Sequence, residues 1–81
     1  MDKEAVSIVT SIIAKALGLP PDRVNEDDSM DTIEEWDSLG HLNILIALDQ
    51  KFTGQAAKLP ELAKANSVKK LVAVLQADHL L

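Results

Sequence analysis

The chain contains no cysteine and almost no aromatic residue. Because none of its 81 residues is cysteine, the sequence excludes a disulfide framework, thiolate metal ligands and a cysteine nucleophile. Trp36 and Phe52 are the only aromatic residues, so aliphatic side chains must build the core. No apolar run is long enough to span a membrane, and the acidic start is unlike a signal peptide. We therefore expect one small monomeric domain over residues 1–81, in the cytoplasm.

Positive charge is also scarce. The chain has 8 basic and 13 acidic residues, which gives a formal net charge of −5 at pH 7. A protein that binds nucleic acid needs a basic face, so this composition argues against a nucleic-acid partner. It favours protein partners that present basic docking surfaces.

The first 37 residues divide into a predicted helix and a long acidic loop. Apolar residues recur at three- and four-residue spacing over residues 3–17, which predicts an amphipathic helix. Asp2 is the expected N-cap and Gly18 the expected left-handed C-cap, because the prolines that follow forbid continuation. No period holds between Gly18 and Asp37. We expect the apolar residues of this loop to pin it to the helices: Val24, Met30, Ile33 and Trp36.

Two further helices are predicted after the loop, with a short helix between them. Residues 38–52 carry apolar residues at helical spacing, and Gly54 ends this segment. A proline suits the first position of a short helix over residues 60–65. Ser67 is the expected N-cap of the closing helix, and residues 78–81 are expected to fray. The predicted fold is therefore all-α, with three main helices, one short helix and a long first loop.

The acidic loop fails the pattern of a calcium-binding loop. Such a loop needs a glycine at its sixth position and a glutamate at its twelfth. Counted from Asp27, these positions hold Thr32 and Ser38. We therefore expect a solvated loop without a dedicated metal site, and loose binding of divalent cations is the alternative.

The predicted second helix is apolar on two sides. At about 100° per residue, one set of side chains falls on a single side; we call it the core face, and it comprises His41, Ile44, Leu45, Leu48 and Phe52. A second set, the outer patch, comprises Leu39, Leu42 and Ile46, with Asp49 between the two sets. Either the helix is buried on both sides, or the outer patch is a docking surface. In so small a domain we favour docking.

Ser38 lies where the acidic loop meets this helix, and two roles are open to it. A serine at a helix start can cap the helix, because its hydroxyl oxygen accepts an orphan backbone N–H. The same place also favours a phosphate, because the first-turn N–H groups and the positive end of the helix dipole attract anions. The junction alone favours the cap, and the alternative is a hydroxyl that carries a phosphodiester.

The sequence around Ser38 resembles the acyl carrier protein family. The motif Asp37-Ser38-Leu39 opens an apolar helix that closes with Phe52, about midway along an acidic chain of this length. The order of predicted elements matches from end to end, so the resemblance covers nearly the whole chain and implies a carrier-protein bundle. In that family the serine of the D-S-L motif carries 4′-phosphopantetheine, which comes from coenzyme A.

The resemblance implies a role for the motif and its surroundings. Ser38 would be the attachment site, and Asp37 would orient the incoming phosphopantetheinyl transferase or its metal. The transferase would activate the Ser38 hydroxyl for attack on the β-phosphate of coenzyme A and supply the Mg²⁺. The attached thiol would hold an acyl or aminoacyl thioester and present it to loading and transfer enzymes. The residues implied to meet these partner enzymes are Leu39, Leu42 and Ile46. From the distribution of charge, we also expect the acids Glu35 and Asp49 to take part in partner binding.

The motif also departs from the common family pattern. Gly40, Asn43 and Gln50 stand where acidic residues are usual, and Trp36 is unusual before the motif of a fatty-acid carrier. W-D-S-L resembles stand-alone carriers of specialised pathways. We therefore expect an unusual acyl or aminoacyl cargo in a lipid, polyketide or related pathway, and poor recognition by general fatty-acid synthesis enzymes.

Two other functions fit the sequence less well. A serine hydrolase would need a base for Ser38, and no G-x-S-x-G elbow surrounds this serine. We expect His41 to be a half-buried packing histidine held by hydrogen bonds, and the chain not to be an enzyme. The runner-up is a small helical interaction module without a prosthetic group, with Ser38 as a plain cap. Trp36 is expected to pack partly against the domain, and the alternative is a ring that points at partners.

Overall fold

Three α-helices surround one hydrophobic core in the computed structural model, which describes residues 3–81 except for the side chain at position 57. The α-helices are α1 (Lys3–Leu17), α2 (Ser38–Lys51) and α3 (Val68–Ala77), and the 3₁₀ turns are Pro21–Arg23, Ala56–Lys58 and Pro60–Lys64. Residues 3–81 contain no β-strand, so the all-α prediction is confirmed. The predicted short helix is the 3₁₀ turn Pro60–Lys64 rather than an α-helix.

Helix α1 ends as its sequence predicts. Gly18 has a φ of +73°, the left-handed conformation that a C-cap requires. This turn lets the Leu19 N–H donate to the Ala14 carbonyl at 2.8 Å, which satisfies a carbonyl at the end of the helix. The predicted N-cap Asp2 lies outside the described residues.

The acidic loop is anchored by its apolar residues and by the start of α3. Val24, Ile33 and Trp36 are buried and Met30 is partly buried, which confirms the predicted pinning. The Val68 N–H donates to the Asp28 carbonyl at 3.1 Å. Lys69 and Asp27 form an ion pair at 2.9 Å, and this hydrogen bond and the Asp27 charge raise the pKa of Lys69. These contacts fix the loop that leads into α2.

The core face of α2 is confirmed by burial. His41, Ile44 and Leu48 are buried, and Leu45 and Phe52 are partly buried against the core. The helix ends one residue earlier than predicted, because Thr53 already adopts a positive φ of 51°. The Gly54 N–H then donates to the Asp49 carbonyl at 2.9 Å and closes the last turn.

The closing helix and the residues after it complete the core. The Ser67 hydroxyl accepts the Lys70 N–H at 3.1 Å, which confirms the predicted N-cap of α3. The expectation that residues 78–81 fray is wrong. His79 has a φ of +60°, and this turn lets the Leu80 N–H donate to the Leu75 carbonyl at 2.9 Å. Leu80 and Leu81 therefore pack, partly buried, against the core.

Candidate functional site

The start of α2 is capped by Asp37 and not by Ser38. The Asp37 carboxylate accepts the Gly40 N–H at 2.8 Å, and the Asp37 carbonyl accepts the His41 N–H at 2.8 Å. The interpretation of Ser38 as a plain cap is therefore wrong. The reason is that Asp37 has the extended backbone of a capping residue, and its carboxylate also interacts favourably with the positive end of the helix dipole.

The Ser38 hydroxyl is left exposed as a consequence. Ser38 is the first residue of α2, and its hydroxyl makes no hydrogen bond within residues 3–81. The N–H groups of Ser38 and Leu39 likewise have no acceptor among the described residues. The other serine at a helix start, Ser67, differs because its hydroxyl is engaged as a cap. Ser38 thus combines an accessible oxygen with open amides that favour an anion.

Gly40 is required by the close approach of the chain that enters α2. A Cβ atom built on Gly40 would overlap the Glu35 carbonyl oxygen and lie 2.8 Å from Cδ2 of Leu17. The Glu35 carbonyl belongs to the backbone, so it cannot move aside as a flexible side chain would. The absence of an acidic side chain at this position is therefore a packing requirement as well as a loss of charge.

A buried hydrogen-bonded chain joins both sides of Ser38 to the rest of the fold. Trp36 is 1% exposed, and its Nε1–H donates to Nδ1 of His41 at 3.0 Å. The two rings are nearly parallel, with centroids 6.1 Å apart and an interplanar angle of 15°, and they meet edge to edge through this bond. Nε2 of His41 lies 2.9 Å from the Leu62 carbonyl in the turn Pro60–Lys64. One imidazole therefore connects the end of the loop, the first turn of α2 and this 3₁₀ turn.

These two hydrogen bonds determine which ring nitrogen of His41 carries the proton. An indole N–H only donates and a carbonyl only accepts, so Nδ1 must accept from Trp36 and Nε2 must carry the proton that is donated to Leu62. The predicted packing histidine is confirmed, and it is more buried than expected, at 7% exposure. Because both ring nitrogens are engaged, His41 has no lone pair available to act as a base for Ser38. The alternative of a Trp36 ring that points at partners is wrong.

The outer patch lies on the surface of α2. Leu39, Leu42 and Ile46 are 68%, 52% and 49% exposed, respectively. The alternative of a helix buried on both sides is therefore wrong. Isolated exposed leucines are ordinary, but three large apolar side chains along one side of a helix form a contiguous patch of the kind found at interaction sites.

A groove adjoins the outer patch on the side of the 3₁₀ turns. It has a volume of about 440 Å³ and is lined by Ile46 and Asp49 of α2 and by Leu59, Pro60 and Leu62 beyond it. Ile46 belongs to both the patch and the groove. Asp49 is partly buried at the groove, whereas Glu35 is exposed before the start of α2. These two acids are not brought together, because about 17 Å of helix separates Asp49 from the start of α2 at Ser38.

Two further features bear on function. No group of three or more histidine, aspartate or glutamate side chains in the described part of the chain could hold a metal ion. No helix of residues 3–81 has both the length and the apolar character needed to cross a membrane.

The family of the chain follows from comparison with known proteins. A family model described as the phosphopantetheine attachment site matches residues 7–75, which is most of the chain and includes all three α-helices in whole or in large part. The chain belongs to this family. Neither the comparison with curated proteins nor the comparison with solved structures found a match. The phosphopantetheine attachment domain is the place where 4′-phosphopantetheine is bound covalently, so the chain is a carrier protein and the predicted cofactor is confirmed.

Proposed function

We propose that Ser38 is the residue that carries 4′-phosphopantetheine, and that residues 1–81 form a single, monomeric carrier domain. The observation that supports this best is that the Ser38 hydroxyl is exposed, without a hydrogen bond, at the first position of α2. Asp37 supplies the cap that a serine would otherwise supply, so the hydroxyl is available for a covalent bond. The site therefore fits the group chemically.

The residues around Ser38 assist the attachment in different ways. The Ser38 oxygen is the nucleophile that a partner phosphopantetheinyl transferase activates, with coenzyme A as the donor. It bonds to the β-phosphorus, the bond between the two phosphates breaks, and adenosine 3′,5′-bisphosphate leaves. The proton of the hydroxyl goes to a base of the transferase, because both nitrogens of His41 are engaged elsewhere. The open N–H groups of Ser38 and Leu39 stabilise the negative charge of a phosphodiester at this place. Once bound, phosphopantetheine supplies a thiol that holds an acyl or aminoacyl group as a thioester.

Partner enzymes dock on the outer patch in this proposal. Leu39 follows the attachment residue directly, so a protein that covers the patch also reaches the group on Ser38. Exposed acids upstream, Glu35 among them, and Asp49 at the far end of α2 provide charge for steering partners with basic surfaces. The partners are the transferase and the enzymes that load and remove the cargo. We propose a specialised lipid, polyketide or related biosynthetic pathway, because α2 lacks much of the usual acidic charge. The proposed compartment is the cytoplasm.

A mass measurement tests the attachment site. Incubation with coenzyme A and a promiscuous phosphopantetheinyl transferase should raise the mass of the wild-type chain by one phosphopantetheine. Ser38→Ala should gain no mass and should remain folded. The matched control is Ser67→Ala, which removes a serine at another helix start and costs about 1 kcal/mol of cap stability. Ser67→Ala should gain mass as the wild type does, and a Ser38→Ala protein that gained the group would refute the assignment.

The alternative of an interaction module without a prosthetic group has lost its main support. It required Ser38 to serve as the cap of α2, and Asp37 makes that bond instead. A wild-type chain that gained no mass in the same experiment would restore this alternative.

A further inference from the structure

His41 has a place in the site that neither attachment nor docking uses directly. It is buried beneath the first turn of α2, and both of its nitrogens are bonded inside the protein. We propose that His41 is a positioning residue for the attachment reaction, because it fixes the segment that presents the Ser38 hydroxyl. This inference rests on the proposed role of Ser38.

The position of the Ser38 hydroxyl depends on the backbone around it. The hydroxyl has no hydrogen bond within residues 3–81, so no contact of this side chain directs it. Its direction is therefore set by the backbone on either side. That backbone makes a close bend, with the Glu35 carbonyl against Gly40. A displacement of this bend moves the hydroxyl with it.

The hydrogen bond between Trp36 and His41 holds this bend. Trp36 lies two residues before Ser38 and His41 three residues after it, and their side chains are bonded at 3.0 Å. This contact closes a short loop around the attachment residue. The bond from His41 to the Leu62 carbonyl at 2.9 Å then ties that loop to the turn Pro60–Lys64, whose Leu62 side chain is buried in the core. The bend is thus anchored to a part of the protein 21 residues away in sequence.

The two partners of the side chain at position 41 make a histidine suitable there. The position requires an acceptor facing Trp36 and a donor facing Leu62, on one flat side chain that lies edge to edge with the indole. Neutral imidazole supplies both from opposite edges. An aliphatic residue of similar size fills the volume but leaves the buried Trp36 N–H without a partner. The Leu62 carbonyl would keep only its bond from the Ala65 N–H at 3.2 Å. The Trp36 N–H regains a partner only if the bend moves.

The consequence is kinetic. The reaction needs the Ser38 oxygen aligned with the phosphorus of coenzyme A in the transferase, and small misplacements lower such rates strongly. The outer patch does not depend on His41 for its exposure. Loss of the His41 contacts should therefore lower kcat for attachment while leaving KM for the carrier nearly unchanged.

The test measures attachment kinetics by intact mass, with coenzyme A and a promiscuous transferase, at a temperature where every variant is folded by circular dichroism. We expect Trp36→Phe, which keeps a ring and removes one donor, and His41→Leu to lower kcat by about 10-fold or more. His41→Gln, which can both accept and donate, should recover most of that loss. Val72→Ala is the control, because it creates a buried defect in α3 away from the bend.

Amide hydrogen exchange provides a second readout that does not depend on activity. Trp36→Phe should speed exchange at the Gly40 and His41 amides several-fold, and Val72→Ala should not. A folded Trp36→Phe with wild-type kcat and wild-type exchange would overturn the inference, and so would an equal loss of kcat in Val72→Ala. Either result would overturn only the positioning role of His41. The proposed attachment at Ser38 would stand as long as the wild type gains mass. Failure of the wild type to gain mass would instead refute the proposed function.

Discussion

The core face and the outer patch of α2 have similar composition and opposite environments. Ile44 and Leu48 are fully buried, whereas Leu39 on the other side of the same helix is 68% exposed. Helix α3 differs, because none of its large apolar side chains is exposed: Val68, Leu71, Val72 and Leu75 are buried, and Val74 is partly buried. The comparison shows that apolar character alone does not indicate burial in this domain. A small protein that keeps a second apolar side in water needs a use for it, and docking is the use we propose.

Paired truncations should separate the two sides of α2 by stability. Leu48→Ala removes a fully buried side chain, so we expect the free energy of unfolding to fall by about 2–5 kcal/mol. Leu42→Ala removes an exposed side chain and should change it by less than about 0.5 kcal/mol. Urea unfolding followed by circular dichroism measures both values. Equal losses would mean that the outer patch is also part of the core.

The next largest effect on stability is expected from a substitution at Gly40, in the first turn of α2. In an ordinary helix, replacement of glycine by alanine is favourable by up to about 1 kcal/mol. At Gly40 the new Cβ would overlap the Glu35 carbonyl oxygen, so we expect a destabilisation of about 1–3 kcal/mol instead. Asn43→Ala, at an exposed position of the same helix, is the control and should be neutral or stabilising. A Gly40→Ala protein at least as stable as the wild type would show that the bend relaxes freely.

A charge placed in the outer patch should affect partners and not the fold. Leu42→Asp removes apolar contact and places a carboxylate in the docking interface, so the KM of a transferase for the carrier should rise about 10-fold. The unfolding free energy should change little, because Leu42 is half exposed. Asn43→Asp adds the same charge beside the patch and controls for electrostatics. If both variants have the wild-type KM, the proposal that partners dock on the outer patch is wrong.

The helices of this fold could be predicted from sequence because local patterns determine them. Residues 3–17 have a clear 3.6-residue period, and a glycine and two prolines follow it. Ser67 was predicted as the cap of α3 because the apolar period begins at the next residue, Val68, although Asn66 beside it is also a capping residue. The cap of α2 was not, because Asp37 and Ser38 are both strong capping residues and adjacent positions cannot be separated by preference alone.

The contacts beneath Ser38 could not be predicted because they are tertiary. The Gly40 approach depends on how the loop returns at Glu35, and the bond from His41 to Leu62 joins residues 21 apart. The sequence does place Trp36 five residues before His41. Trp36 precedes the apolar helix α2, and His41 lies on it. That spacing is compatible with a contact, but hydrophobic periodicity treats both residues as core and does not indicate that they bond to each other.

The smallest predicted effect concerns charge beside the outer patch. Fatty-acid carriers usually have acids where this chain has Gly40, Asn43 and Gln50, and restoring all three would be the simple way to test partner choice. The structure rules out the first of these, because any side chain at Gly40 meets the Glu35 backbone. Asn43 and Gln50 are exposed on the outer side of α2, so glutamates there add charge without a steric cost.

We expect Asn43→Glu with Gln50→Glu to raise kcat/KM with fatty-acid elongation enzymes by a few-fold at low salt. The reason is that charge steering raises the rate at which the partners associate. The gain should shrink as ionic strength rises, because exposed charges are screened over a Debye length of about 8 Å at 0.15 M. Ser7→Glu with Ser11→Glu, exposed on α1, adds the same net charge away from the patch and should give no gain. An unmodified sequence that already matched a typical fatty-acid carrier at low and moderate salt would refute the expectation of a specialised partner.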